Sequence, residues 1–288
     1  MFRLNKDVIL SFTLRLCAIL SGSIVLWIML FLVIEAWPAL WGVTPWRFAS
    51  DASWHPTEGQ FQLMPMAAAT LVVMLGAVIL ATPLGILSAV FCHSYAPGPV
   101  GRVYRRLIEL LAGIPSVVYG FWGLVVVVPW IASWRGPGAS LLAGILILAL
   151  MILPTIALLS EAALQNVPQT YHQGAAALGL SRWAVLWRVI IPAARPGMTT
   201  AVLLAGGRAA GETMAVLMVC GNVVQWPSGL LLPVRTLTAN MAMEMGYAYG
   251  LHRSALFVTG LLLMGLVMAM VGVAQWMRHR DMREVAHG

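Results

Sequence analysis

Charge is what this sequence has least of. Asp, Glu, Lys and Arg make up 9% of 288 residues, against about 25% in an ordinary soluble domain. A water-facing globule is thereby excluded. Lysine is reduced to Lys6 alone. Cysteine is down to Cys17, Cys92 and Cys220. An odd count inside apolar runs, with no CxxC, gives neither a disulfide framework nor a metal motif. No Gly-rich loop runs into Lys-Ser or Lys-Thr, so the chain has no phosphate cradle for hydrolysing ATP itself. There is no His-Glu-x-x-His, and His55, His93, His172, His252, His279 and His287 are scattered near the ends of apolar runs. No nucleophile–base pattern stands out. The chain is therefore expected not to be an enzyme, with no catalytic residues, no metal and no cofactor. The net charge of +7 does not point to nucleic acid, because the basic residues sit in short loops. Low-complexity runs and clear repeats are missing as well.

What is present is apolar length. The chain is 60% hydrophobic with a mean hydropathy of +0.87. Crossing a bilayer takes about 20 apolar residues, and six runs qualify: 8–34, 65–91, 107–130, 139–160, 197–220 and 254–277. The expected fold class is all-α, a polytopic membrane protein with six transmembrane helices in contact with membrane lipid. The first run is too long for a signal peptide and has no convincing cleavage site, so it reads as a retained span. Residues 1–64 then form an N-terminal helix with an outer loop, and 65–280 a core of five spans.

Orientation follows from the basic residues of short loops. Arg3 and Lys6 precede the first span, and Arg102, Arg105 and Arg106 separate the second from the third. Arg182, Arg188 and Arg195 separate the fourth from the fifth. Arg278, Arg280 and Arg283 follow the sixth. The opposite side holds only Arg47, Arg135, Arg235 and Arg253. Both termini are expected on the cytoplasmic side. The outer loop 35–64 carries Trp37, Trp41, Trp46 and Trp54, which suit an aromatic belt or a docking surface for an outer partner. The other long outer segment, 221–253, holds a helix-like stretch after Thr236, expected to lie at the membrane surface.

Two charges break the fifth run, Arg208 and Glu212. A charge at bilayer depth costs roughly 2.5–3.5 kcal/mol on insertion scales, so such residues face protein or a water-filled path. Four-residue spacing puts both on one helix face, where they can pair. An anion path is the leading use for Arg208, with a purely structural pair as the alternative. Gly206, Gly207 and Gly211 allow close approach of a neighbouring helix. In the third run Pro115 removes a backbone hydrogen bond and bends the helix, which would offer the hydroxyls of Ser116 and Tyr119 to a path or to packing. Arg235 would stand at the outer mouth, as an anion attractor or a solvated charge.

The segment 161–196 is more than a linker. Pro168 suits a first helical position and Gly179 a C′ position, with Tyr171, Ala175 and Leu178 on one face. Ser181 reads as an N-cap, followed by Trp183, Leu186, Trp187 and Ile190 at helical spacing, and Pro192 is expected to end that helix. The result is a helical hairpin, each helix with one apolar face, that suits docking to a soluble partner or a place at the interface. Its spacing resembles the loop of ABC-importer permeases that runs Glu-Ala-Ala, three residues, Gly, nine residues, then I-x-L-P. Here it is Gln173-Gly174-Ala175, Gly179 and Val189-Ile190-Ile191-Pro192. Gln173 and Gly174 depart from the family, while the literal Glu161-Ala162-Ala163 has no glycine at the right distance.

Further strings narrow the resemblance. They are Gly113-Ile-Pro-Ser-Val-Val-Tyr-Gly120, Arg208-Ala-Ala-Gly-Glu-Thr-Met-Ala-Val216 with Gly221-Asn222, Pro233-Val-Arg-Thr-Leu-Thr-Ala-Asn240, and Glu244-Met-Gly246. Together, over roughly residues 65–275, they resemble the permeases of phosphate importers, the C-type subunit in particular. That resemblance implies a type I ABC-importer permease (MetI-like) fold in a bacterial inner membrane. It implies a second, A-type permease, two cytoplasmic ATPases and an outer phosphate-binding protein as partners. It makes Gln173, Gly174, Ala175, Gly179, Ser181, Arg182 and Pro192 the ATPase-coupling loop, and Arg208, Glu212, Ser116, Tyr119 and Arg235 the candidate substrate path. A permease for molybdate or sulfate, or a passive anion channel, are the alternatives. The strings of the third and fifth spans speak against the first, and the hairpin against the second.

Overall fold

A computed structural model describes residues 2–134 and 136–287, with side chains over 8–134, 136–272 and 275–276. The side chains of Arg3, Lys6, Arg135, Arg278, Arg280 and Arg283, used above for orientation, lie outside the described residues. The chain divides into two compact units, residues 1–62 with 244–262, and 63–243 with 263–288.

In the first unit, α1 (Phe2–Gly42) and α2 (Arg47–Ser50) lead into a hairpin of β1 (Trp54–His55) and β2 (Gln60–Phe61). Trp54 pairs with Phe61 and His55 with Gln60. This hairpin was not foreseen in an all-α reading. It is tied down by Asp51, whose carboxylate accepts from the Phe61 N–H at 2.9 Å and pairs with Arg47 at 3.2 Å. Trp37, Trp41 and Trp46 are exposed, but Trp54 is buried against Phe61 and donates its indole N–H to Glu244 at 2.8 Å. Trp54 therefore leaves the expected belt, because its polar edge has a buried acceptor.

The second unit carries the remaining helices. They are α3 (Met64–Val90), α4 (Gly98–Gly113), α5 (Ser116–Trp122), α6 (Val128–Ala132), α7 (Leu141–Gln165), α8 (Gln169–Ala177), α9 (Arg182–Val185), α10 (Ile191–Ala210), α11 (Met214–Val219) and most of α12 (Leu237–Glu244). The final helix, α13 (Gly250–His287), begins in the first unit. Among the described residues, five helices are long and apolar enough to cross a membrane, and a sixth crossing is counted if the pair α4 and α5–α6 is one span bent by 92°. The core lies where α3, α7 and α10 pack together, around Val73, Met74, Ile147, Ile152 and Ala205. Small residues set how close they come: a Cβ on Gly85 would sit 2.7 Å from Ile156.

Three widened turns recur, at Phe91–Tyr95, Gly123–Val127 and Leu186–Ile190. Each stands two residues before a proline: Pro97, Pro129 and Pro192. A proline N cannot donate and its ring crowds the carbonyl four residues back. The chain answers by bonding the preceding residue five back: Ala96 to Phe91, Val128 to Gly123, and Ile191 to Leu186. Pro192 consequently does not end its helix, contrary to expectation. The helical course runs on from Arg182 to Ala210.

Candidate functional site

The fifth run breaks beside its charges. α10 stops at Ala210, Gly211 closes it by donating to Gly207, and α11 restarts at Met214. Irregular backbone at membrane depth persists only where protein or a water-filled cavity supplies its hydrogen bonds. Here the Thr238 hydroxyl donates to the Glu212 carbonyl at 2.8 Å. The break removes the shared helix face on which the expected Arg208–Glu212 pair depended, and among the described residues no ion pair joins them. The Glu212 carboxylate instead accepts the Ala215 N–H at 3.3 Å, in the first turn of α11, where the helix dipole favours a negative group. Arg208 is exposed, with its guanidinium 3.5 Å from the Thr155 hydroxyl of α7. Leu204, Arg208 and Gly211 line an exposed stripe of this chain. Gly206 faces inward instead, toward Val78 and Met270 of the same chain.

The third run bends at Pro115. α5 then packs on α11, so that a Cβ on Gly120 would lie 2.9 Å from the Ala215 Cα. Two interrupted runs are thus brought together. Ser116 opens α5 and is half-buried. Tyr119 is buried, and its hydroxyl donates to the Leu111 carbonyl at 2.8 Å, across the bend. That hydroxyl satisfies the last turn of α4, and it lies within electrostatic range of Arg208. Arg235 is half-buried and donates to the Asn222 carbonyl at 2.9 Å and the Asn240 side chain at 3.1 Å. It holds the loop after α11 rather than standing free as an outer charge. That loop also receives the first N–H groups of α7, from Leu141 and Leu142 to Leu232 and Leu230. Thr236–Asn240 is buried, with the Leu237 N–H on Thr70 at 3.0 Å, so this stretch does not lie on a surface.

The hairpin between α7 and α10 has the anticipated turn. Gly179 has φ +66°, the left-handed region that a C′ position requires. Ser181 caps α9 by accepting the Ala184 N–H at 3.3 Å. Pro168 is the N-cap of α8 rather than its first residue. Ala175 is buried, while Gln173, Gly174, Gly179, Arg182 and Pro192 are exposed. Exposed apolar rings and chains cluster around the turn: Tyr171, Leu178, Trp183 and Trp187, the last two with ring centroids 5.2 Å apart. Glu161 belongs to α7, where it is buried and pairs with Arg105 at 3.3 Å, so the literal Glu-Ala-Ala string plays no part in the turn.

Sequence reasoning missed Thr155, Thr238 and the Arg105–Glu161 pair. A threonine beside Pro154 in a 25-residue apolar helix was the available signal for the first. The other two are long-range contacts without a local mark.

Comparison with known proteins places this geometry. Residues 81–282 match the binding-protein-dependent transport system inner membrane component family. The chain is 34% identical over 296 residues to the phosphate transport system permease protein PstC of Mesorhizobium japonicum, covering 95% of this chain and 90% of that one. It is 41% identical over 229 residues to a probable ABC transporter permease protein, YqgH, of Bacillus subtilis, covering 77% and 74%. Among solved structures, a bacterial ABC transporter importing the acidic polysaccharide alginate aligns with a TM-score of 0.65 at 16% identity, over 96% of this chain and 99% of that one. The inward-facing MetNI methionine transporter aligns with a TM-score of 0.64 at 19% identity, over 80% and 99%. These likenesses carry the fold.

Proposed function

The chain belongs to the binding-protein-dependent transport system inner membrane component family, and from that premise we propose that it is the C-type permease subunit of an ATP-driven phosphate importer. The observation that carries the reading is Arg208. It is exposed on its own chain, in an apolar helix, with one 3.5 Å contact to Thr155. Lipid cannot be its neighbour at that depth without a cost of roughly 2.5–3.5 kcal/mol. A second permease of A type covers that face, and the path for phosphate runs between the two subunits. A guanidinium suits a tetrahedral oxyanion because it offers several donors in a planar fork and stays charged. Its loose tether to Thr155 leaves those donors available, and conduction needs a site that also releases.

Around Arg208 the other candidates take different roles. Ser116, at the opening of α5, faces the path, while Tyr119 holds the bend and Arg235 holds the outer loop. Glu212 fixes the start of α11. Gln173, Gly174, Ala175, Gly179, Ser181, Arg182 and Pro192 form the coupling loop, and the apolar cluster of Leu178, Trp183 and Trp187 docks on a cytoplasmic ATPase. Two such ATPases hydrolyse ATP and an outer phosphate-binding protein delivers the ion. Residues 1–64 append a helix and outer loop to the permease core at 65–280, with both termini in the cytoplasm of a bacterial cell bounded by this inner membrane.

The test is uptake of radiolabelled phosphate at micromolar concentration in cells lacking their own phosphate permease. Restored uptake that unlabelled phosphate blocks and sulfate or molybdate does not is the expected result. An assembled complex that leaves phosphate outside would assign the path to another oxyanion.

A further inference from the structure

A cavity of about 450 Å³ lies away from Arg208, between the coupling hairpin and the widened turn after α3. Its basic donors are His93 from the end of α3, His172 from α8 and Arg182 from the start of α9. The hydroxyl residues Ser94 and Tyr95 line it too, and Leu180, Leu186 and Ile190 form an apolar wall. His93 and His172 are close enough to act on each other electrostatically. Imidazoles near one another and a guanidinium repel when charged, and an anion among them removes that repulsion. Among the described residues none of these three side chains makes a hydrogen bond or ion pair to protein. The nearby carboxylate that acts on His93, Glu161, is already taken by Arg105 at 3.3 Å and Gln165 at 3.0 Å. The cavity is therefore lined by basic groups from three segments, His93 half-buried and His172 and Arg182 exposed, that have no protein partner among the described residues.

We propose that this cavity is a cytoplasmic anion site that takes inorganic phosphate and thereby fastens the coupling hairpin to the end of α3. The choice of phosphate among small oxyanions rests on the transport reading above, since this is the side on which that ion is released. The binding site itself stands on the cavity and its donors. Occupation would link α8 and α9 to α3 through one ligand, so that accumulated product restrains the element that transmits ATPase motion.

Binding of radiolabelled phosphate to the purified complex, with the outer binding protein left out, tests this. The double variant His93→Gln, His172→Gln is expected to bind phosphate about tenfold more weakly, since two groups able to carry positive charge become neutral amides. Ala176→Phe, which fills the cavity and keeps every charge, is expected to do the same. Both are made in an Arg208→Ala background, so that phosphate held at the path does not contribute. Phosphate binding in that background that survives both cavity variants overturns the proposal, and so does a lack of phosphate binding in Arg208→Ala alone.

Discussion

At Arg208 the guanidinium is exposed on a chain whose surroundings are hydrocarbon or protein. Its worth lies in charge, since among the described residues its side-chain hydrogen bonding is a single long bond to Thr155. Arg208→Ala is therefore expected to abolish uptake or reduce it sharply, while the complex still assembles and co-purifies with its ATPase. Normal uptake in that variant would remove the anion-path role. Glu212 behaves differently because its carboxylate caps α11. Glu212→Gln keeps an acceptor oxygen and should transport close to wild type. Glu212→Ala loses the bond from the Ala215 N–H, at a cost of about 0.5–1.5 kcal/mol, and should lower the melting temperature of the complex measurably more than the glutamine variant does. Equal melting temperatures would show that the capping bond contributes nothing. The position of both charges was legible in the sequence, since an arginine and a glutamate stand out in an apolar run. Their relation was not legible. The spacing rule assumes an unbroken helix, and the break after Ala210 is supported from outside by the Thr238 hydroxyl on the Glu212 carbonyl, 26 residues away along the chain.

Among the elements, the hairpin between α7 and α10 was the most readable because its signals are local. A glycine at φ +66° and a serine N-cap two residues later act within one turn of the residues they control. The helix beyond was misread because a proline rule was applied without its exception. Pro192 follows a widened turn that already removes the clashing hydrogen bond, so the helix continues. Two variants separate these effects. Nothing lies within 4 Å of a Cβ built on Gly179, so substitution there acts through backbone conformation alone. Gly179→Val should cost roughly 1–2 kcal/mol in a left-handed conformation and weaken co-purification of the ATPase. Gly179→Asn, which tolerates that region, should retain it. Identical behaviour of the two would mean that the turn has no conformational role. Pro192→Ala restores a donor that favours a normal turn over Leu186–Ile190. The face carrying Trp183 and Trp187 would then rotate by about 100° relative to α10, and uptake should fall more than complex assembly does. Unchanged uptake would show that the widened turn is incidental.

For the whole molecule, the bent third run decides how many times the chain crosses. α4 carries Arg102, Arg105 and Arg106, and Arg105 reaches Glu161 at the end of α7 from which the hairpin departs. α4 and the hairpin therefore share one side. At the other end of α7, Ser140 donates to the Val219 carbonyl and Leu141 to Leu232. Those ends are separated by the 25 residues of α7, about 37 Å at 1.5 Å per residue. The chain must cover that distance between Gly113 and Ser140. Residues 116–132 rise about 25 Å as a helix, which with the adjoining loop suffices for a hydrocarbon core of about 30 Å. On the orientation proposed above, α4 is expected to run along the cytoplasmic surface with its arginines in water, while α5 and α6 make the crossing. A re-entrant loop would return residues 133–139 to the cytoplasmic side, against the bonds that hold Ser140 beside Val219. Single cysteines in a background lacking Cys17, Cys92 and Cys220 settle the point with a membrane-impermeant maleimide applied to sealed spheroplasts. Ser133→Cys is exposed on the outer side and should be labelled at once, whereas Gln169→Cys, at the start of α8, should react only after the membrane is opened. Protection of Ser133→Cys would convert the bent pair into a re-entrant loop, leave five crossings, and place one terminus outside.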